Sequence, residues 1–593
     1  MKTLPYLCVF ILATHALSGD SNNVSYMPEH PLADAMGFVL AVSDAKSILP
    51  SAPWPETGAP YPYQDGWPVD ISNYREDEGG LFVEADGDPE PEILFQTHLT
   101  THLLNHDGTY VAGWPVTVPN GSHASGQPAF GDLDGDGMGE VVVTSDNWPN
   151  GSSGWTHAYH TDGTVVEGFP ALTNGDHSRS PTVVDLDDDG CCEIVVGERD
   201  YPIGRVYVFD GGGQLLQGWP QELDHVPASS AGAADIDNDD VREIVYESYS
   251  SIYAFEMDGS AVSGFPYTPT TGDVFSYSAP VFADADDDGY LEIAVGGHSL
   301  SGTDHMFLLN HDGTDCAGWP TVVGYWIYAP ATFADMDGDD DLELLVGDQV
   351  LSPTPTNHLF AWHHDGSSVT GWPVGPIEAI NSQVSVADLD GDADPELIWD
   401  TNVTPGKLRG YHNTGDPIAD WPITTDGSTF FDTAALDDVD GDGDLELLVL
   451  TYLDTPLCTA HLWDVPDQVD PADVQMPMFQ YNPGRTGLIL DAPSQGTEES
   501  ALRVSNPVIL ASPNPFSGSV SVRVAGCVRS PGRLQIFDLS GRLVREMKPV
   551  LTENGAVYSW NGRSSSGGEL PRGVYCARVS WGDVSSSAML LKL

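Results

Sequence analysis

The sequence predicts an all-β chain: a β-propeller of eight four-stranded blades, or seven if a terminal unit is incomplete, followed by a small Ig-like β-sandwich. Three observations lead there. An acidic nonapeptide recurs eight times at a period near 50 residues, each copy runs into a short β-rich stretch, and the charge inverts near residue 505. Units of four short strands repeated many times bury their faces against neighbours and protect their edges by closing a ring.

The elements follow in order along the 593 residues. Residues 1–18, "MKTLPYLCVFILATHALS", join Lys2 to an apolar run and a small-residue ending, which reads as a secretory signal peptide. The run is too short to span a bilayer, and no later stretch qualifies, so no transmembrane segment is expected. Residues 19–60 read as an N-terminal linker and 61–487 as the propeller. The early "QDGWP" at 64–68 looks like a displaced fourth strand able to pair with the last blade and close the ring.

The recurring nonapeptide is "EADGDPEPE" from Glu84, "DLDGDGMGE" from Asp132, "DLDDDGCCE" from Asp185, "DIDNDDVRE" from Asp235, "DADDDGYLE" from Asp284, "DMDGDDDLE" from Asp335, "DLDGDADPE" from Asp388 and "DVDGDGDLE" from Asp438. Stretches such as "VVV" and "LLV" follow each copy and short strands precede it, so each copy is the turn of a β-hairpin. Further on comes a second signature, as in "HDGTYVAGWP" and "TDGTVVEGFP", whose Asp-Gly pair marks another hairpin. Its aromatic-Pro pair is expected to end the fourth strand and start the crossover. In the eighth unit, "WDVPD" and "MPMF" are weak echoes of that signature.

The net charge of -68 comes from 89 acids against 21 Lys and Arg, and the eight nonapeptides hold 40 of those acids. Such a field repels nucleic acid and anionic membrane and favours cations or basic partners. Like charges about 4 Å apart repel by roughly 4 kcal/mol at an effective dielectric near 20, so the clusters oppose folding unless neutralised. The candidate ligands lie at fixed positions. Position 1 is Glu84, Asp132, Asp185, Asp235, Asp284, Asp335, Asp388 or Asp438; position 3 is Asp86, Asp134, Asp187, Asp237, Asp286, Asp337, Asp390 or Asp440. Position 5 is Asp88, Asp136, Asp189, Asp239, Asp288, Asp339, Asp392 or Asp442; position 9 is Glu92, Glu140, Glu193, Glu243, Glu292, Glu343, Glu396 or Glu446. With the carbonyl of position 7, this all-oxygen set suits Ca²⁺, up to eight ions, and the spacing is not that of an EF-hand. Glycine at position 6 (Gly137, Gly190, Gly289, Gly443) suits a turn needing positive φ, whereas Pro89 cannot adopt it, so the first site is expected to be the weakest.

These repeats resemble the FG-GAP and VCBS family of calcium-binding propeller repeats, with Phe130-Gly131 keeping the family's Phe-Gly pair. The resemblance implies a calcium-loaded propeller of an exported protein. Trp/Phe-Pro stands where the family has Gly-Ala-Pro.

Residues 488–504 read as a linker, and 505–593 carry ten basic against five acidic residues. There "SPNPFSGSVSV", "LQIFDLSGRLVRE" and "PRGVYCARV" alternate apolar and polar residues between turns, as in a sandwich. This order resembles the C-terminal sorting domain of bacterial type IX secretion cargo, which implies that the tail engages sorting machinery and that the protein is secreted or held on the outer cell surface. Of the sparse cysteines, Cys527 and Cys576 are close enough in sequence to pair, and adjacent Cys191 and Cys192 read as incidental.

In a propeller the acidic turns and the Asp-Gly hairpins share one face. The loops of the other face vary and carry Trp148, Trp155, His177, Arg179, Phe275, Tyr277, Tyr325, Trp326, Tyr328, Phe430 and Phe431, which are the candidate ligand-binding residues. Aromatic faces flanked by Asn, Asp and Ser suit sugar stacking, and Tyr and Trp equally suit protein interfaces. The leading expectation is therefore a calcium-binding adhesion or recognition module for a glycan or protein. The alternatives are a polysaccharide lyase or hydrolase on a propeller scaffold, and a structural surface-layer component. No HExxH, P-loop or GxSxG motif is present, and His106, His311 and His364 precede Asp-Gly turns in register, as hairpin residues do.

Overall fold

In a computed structural model, residues 60–488 and 508–593 are described apart from short internal stretches, among them 89, 148–152, 240, 340, 393, 466–473 and 526–532. The signal-peptide reading of 1–18 and the linkers at 19–59 and 489–504 lie outside the described residues. Each acidic nonapeptide joins a three-residue inner strand to a longer second strand. In the second blade the strands are Ala129–Gly131, Glu140–Asp146, Gly154–Tyr159 and Ala171–Thr173, all antiparallel neighbours. Eight such sheets are present among the described residues, which decides between eight blades and seven. In the fourth blade the outer strand is reduced to a bridge between Ile252 and Tyr267.

The ring closes as the early sequence suggested. Val69–Ile71 pairs with Leu457–Val465 as the outer strand of the eighth blade, placing Val69 opposite Ala460 and Ile71 opposite Cys458. The aromatic-Pro pair departs from expectation, because it opens the outer strand instead of ending it: Trp114 and Pro115 precede Val116–Thr117. The reason lies in the indole. Trp67, Trp114, Trp219, Trp319 and Trp372 each donate Nε1–H to a hairpin carbonyl of the following blade, at 2.7 to 3.1 Å. The chain is thus drawn to its neighbour before it rejoins its own sheet. Gly113 (φ 102°) makes the approach possible, since a Cβ there would overlap the Asp162 carbonyl oxygen.

"MPMF" is no fourth strand. Val474–Met476 pairs with the inner strand Ser385–Ala387, and the chain then fills the axis. Phe130, Val183, Ala233, Phe282 and Leu436 donate backbone N–H to the carbonyls of Pro483, Gly484, Thr486, Gly487 and Pro477, at 2.8 to 2.9 Å. Gln475 exchanges two hydrogen bonds with the Asp335 backbone, and Arg485 donates to the carbonyls of Pro128 and Gly79. One segment therefore touches all eight blades, and the sequence missed it because its polar contacts are with backbone and follow no period.

The tail is a sandwich of two four-stranded sheets. Val508–Ser512, Val520–Ala525, Gly555–Trp560 and Val550–Thr552 form one, and Leu543–Met547, Leu534–Asp538, Gly573–Trp581 and Val584–Lys592 form the other. Its own core includes Phe516, Ile536, Tyr558, Trp560 and Val579. Cys576 is a free thiol, and Cys527 lies outside the described residues; Cys191 is disulfide-bonded while Cys192 is free.

Candidate metal centres

The second turn shows how these residues make a cation cradle. One Asp132 carboxylate oxygen accepts the Gly135 N–H at 2.6 Å and the other accepts that of Gly137 at 2.8 Å. Asp134 Oδ1 accepts from Asp136 N and Asp136 Oδ1 from Met138 N. Glu140 Oε2 accepts the Leu133 N–H at 2.8 Å. Each carboxylate thus spends oxygen lone pairs on shaping the loop while keeping others for a ligand.

The Glu contact is repeated in all eight turns. The glutamates at position 9 accept the backbone N–H of position 2 at 2.7 to 3.1 Å: Ala85, Leu133, Leu186, Ile236, Ala285, Met336, Leu389 and Val439 are the donors. Positive φ is required at position 4 of every copy, where Gly87, Gly135, Asp188, Asn238, Asp287, Gly338, Gly391 and Gly441 stand. Asp and Asn tolerate that region better than other side chains. The sequence reading placed this demand at position 6; glycines 137, 190, 289 and 443 do have positive φ there, but position 4 is the shared one. Residue 89 lies outside the described residues, and the ranking of the first site with it.

Burial makes the clusters electrostatically expensive. Desolvation, reinforced by the neighbouring carboxylates, pushes Glu140 and Glu446 up to about 9, Glu193 and Glu243 to about 8, and Glu92, Glu292 and Glu396 to about 7. Asp132 rises to about 6 for the same reason. Ligand atoms lie within 4.8 Å of one another in sets such as Asp132, Asp134, Asp136 and Glu84, Asp86, Glu92. Glu243 supplies the fit test: it is fully buried, and its Oε1 has no hydrogen-bond partner. Buried polar groups are ordinarily paired, so an orphaned carboxylate oxygen among acids asks for a cation. The donors are hard oxygens, which fit Ca²⁺.

The sequence missed one group of residues around these turns. Three places before the hairpin glycine, His160, His363 and His412 put Nδ1 at 2.8 to 3.0 Å from Oε1 of Glu140, Glu343 and Glu396. His311 and His364 stand one place further along, where His311 instead stacks on Tyr290 at 4.1 Å. The signal was present in "YHTDG", "WHHDG" and "YHNTG", offset by one residue from the histidines that drew notice.

On the opposite face several predicted residues converge. The Arg179 guanidinium lies 4.4 Å from the Tyr277 ring centroid and 5.4 Å from that of Phe431. Tyr277 stacks on Tyr328 at 5.0 Å, Tyr328 on Trp326 at 6.1 Å, and Phe430 packs on Phe431. Tyr277, Phe430 and Phe431 are buried in this cluster, while Arg179, Trp326 and Tyr328 are half-buried. Others lie apart. Phe275 is buried against Phe307 within its blade, and His177 is buried with its backbone N–H donating to Asp146. Trp155 and Tyr325 are half-buried outside the cluster, and Trp148 lies outside the described residues.

The fold and the turns define an eight-bladed β-propeller with one acidic hairpin per blade. No family model and no curated protein matches the sequence. Among solved structures, the Vibrio cholerae biofilm matrix protein Bap1 is similar at 12% identity and a TM-score of 0.48, covering 73% of this chain and 96% of that one. The quinohemoprotein alcohol dehydrogenase of Comamonas testosteroni is similar at 12% identity and 0.44, covering 68% and 76%. PorZ, a surface component of the type IX secretion system of Porphyromonas gingivalis, is similar at 10% identity and 0.25, covering 85% and 74%. The propeller assignment rests on the sheets of this chain. Among the described residues no helix is long and apolar enough to cross a membrane.

Proposed function

We propose that the protein is a secreted or surface-displayed calcium-binding propeller that recognises a glycan or protein ligand through the face opposite its acidic turns, and that residues 505–593 direct its export through type IX-like sorting machinery. The residues at positions 1, 3, 5 and 9 of each turn would hold Ca²⁺, which fixes the hairpins and supplies no chemistry to the ligand. The observation that carries the recognition reading is the ring stack around Arg179. Tyr277 (φ 72°) and Phe431 (φ 59°) hold bulky side chains in the left-handed region, a strain that clusters at binding sites. Trp326 and Tyr328 continue the stack as half-buried, near-parallel rings, 13° apart, against which a sugar ring could pack.

The test is a glycan array and a surface-extract pulldown with the calcium-loaded protein, beside a Trp326→Ala, Tyr328→Ala variant. Binding that falls at least tenfold in the variant, with an unchanged melting temperature, supports the reading. Binding that is indifferent to both substitutions removes it.

A further inference from the structure

The eight turns differ in the residue that closes the third strand, opposite the glutamate of position 9. Glu396 faces His412 and Glu446 faces Asp464 in register; Ile244 opposite Phe255 likewise sets Glu243 against Glu256. In the second, sixth and seventh blades the facing residue is a histidine that satisfies the glutamate. In the third, fourth and eighth it is an acid. Like charges directly opposite on paired strands are destabilising, and two carboxylates have no hydrogen to share once ionised.

The fourth and eighth blades both hold buried carboxylate oxygens without partners, as does the fifth turn at Asp284 Oδ1. Glu243 is fully buried, gives Oε2 to the Ile236 N–H, and has no partner for Oε1. Asp237 Oδ1 in the same turn and Asp464 Oδ1 in the eighth blade are likewise buried atoms without a partner. Glu256 lies in the field of Asp237 and Asp239, and Asp464 in that of Asp440, Asp442 and Asp444. Asp210 of the third blade occupies the same place in sequence but accepts the Gly212 and Gln214 N–H groups, which turns it to its own hairpin.

We infer that Glu256 and Asp464 are additional cation ligands, and that they make the turns of the fourth and eighth blades the two tightest hard-cation sites of the ring. The inference rests on the reading of the acidic turns as calcium sites and adds a sixth donor to two of them. Affinity in oxygen-ligand sites rises with the number of charged ligands. The histidine blades place an imidazole where that donor would be and hold the ion more weakly.

Equilibrium dialysis of the full chain against buffered free Ca²⁺ tests this. The wild type is expected to retain two ions per chain at a concentration at least tenfold below that needed for the rest. Glu256→Gln and Asp464→Asn should each remove one of the two, and His160→Gln should remove neither. Melts in EDTA verify folding, because each neutral substitution relieves like-charge repulsion and should leave the metal-free melting temperature unchanged or higher. Calcium binding without a two-ion tight class, or a double variant that keeps it, overturns the inference while the calcium reading stands. A wild type that binds no calcium at millimolar concentration overturns both.

Discussion

Glu140→Gln should have opposite effects with and without metal. Without metal, burial holds the Glu140 carboxyl up at about 9 against an ordinary 4.5. At pH 7 the unfolded chain gains from ionising this group and the folded chain does not. The 2.5 pH units between 4.5 and 7 correspond to about 3 kcal/mol of destabilisation at 1.36 kcal/mol per unit. The amide oxygen of Gln can still accept the Leu133 N–H, so the substitution removes most of that penalty. For a propeller of roughly 430 residues, with an unfolding entropy near 2.1 cal/mol/K per residue, this is a rise of about 3 °C in melting temperature in EDTA. With saturating calcium the variant lacks a charged ligand, and its gain on adding the ion should be smaller than that of the wild type. Differential scanning calorimetry in EDTA and in calcium reads both. A variant that melts lower in EDTA, or gains as much from calcium as the wild type, would refute the electrostatic reasoning.

Three further outcomes follow from the same geometry. Metal-free protein should lose stability between pH 5 and 9, because raised folded values give stability that is full below about 4.5 and is lost as pH climbs through 7 to 9; calcium should flatten or reverse that slope, as melts across pH will show. Trp114→Phe should cost about 1 to 2 kcal/mol by orphaning the Thr161 carbonyl, whereas Trp421→Phe should be near neutral because the Trp421 Nε1 has no partner; urea unfolding compares them. Arg485→Ala should cost about 3 to 5 kcal/mol, since it strips the buried Pro128 and Gly79 carbonyls and leaves buried Glu78 without the guanidinium 3.9 Å away, again read by urea unfolding.

The parts legible in the sequence were those that repeat. Eight nonapeptides set the blade count, and "QDGWP" announced the closing strand that pairs with Leu457–Val465. Position 9 was legible because a strand begins there, while its hold on the N–H of position 2 needed coordinates. The axial segment was illegible for a physical reason: Pro477, Pro483, Gly484 and Gly487 contribute carbonyls, and no side-chain pattern records a backbone acceptor. On the opposite face composition found the aromatic residues, but only the structure separates Tyr277 and Phe431, buried around Arg179, from the half-buried Trp326 and Tyr328. The third-strand residues facing the glutamates escaped notice because histidine stands there in some blades and an acid in others.

The axial segment also governs how the ring resists force. Leu488 bridges Phe282 in parallel, so the last described residues of the axial segment run with the strand Val281–Ala283 toward the fifth acidic turn. Pull on the C-terminal end of this segment would load hydrogen bonds to several blades at once, so no single blade would be peeled from the ring.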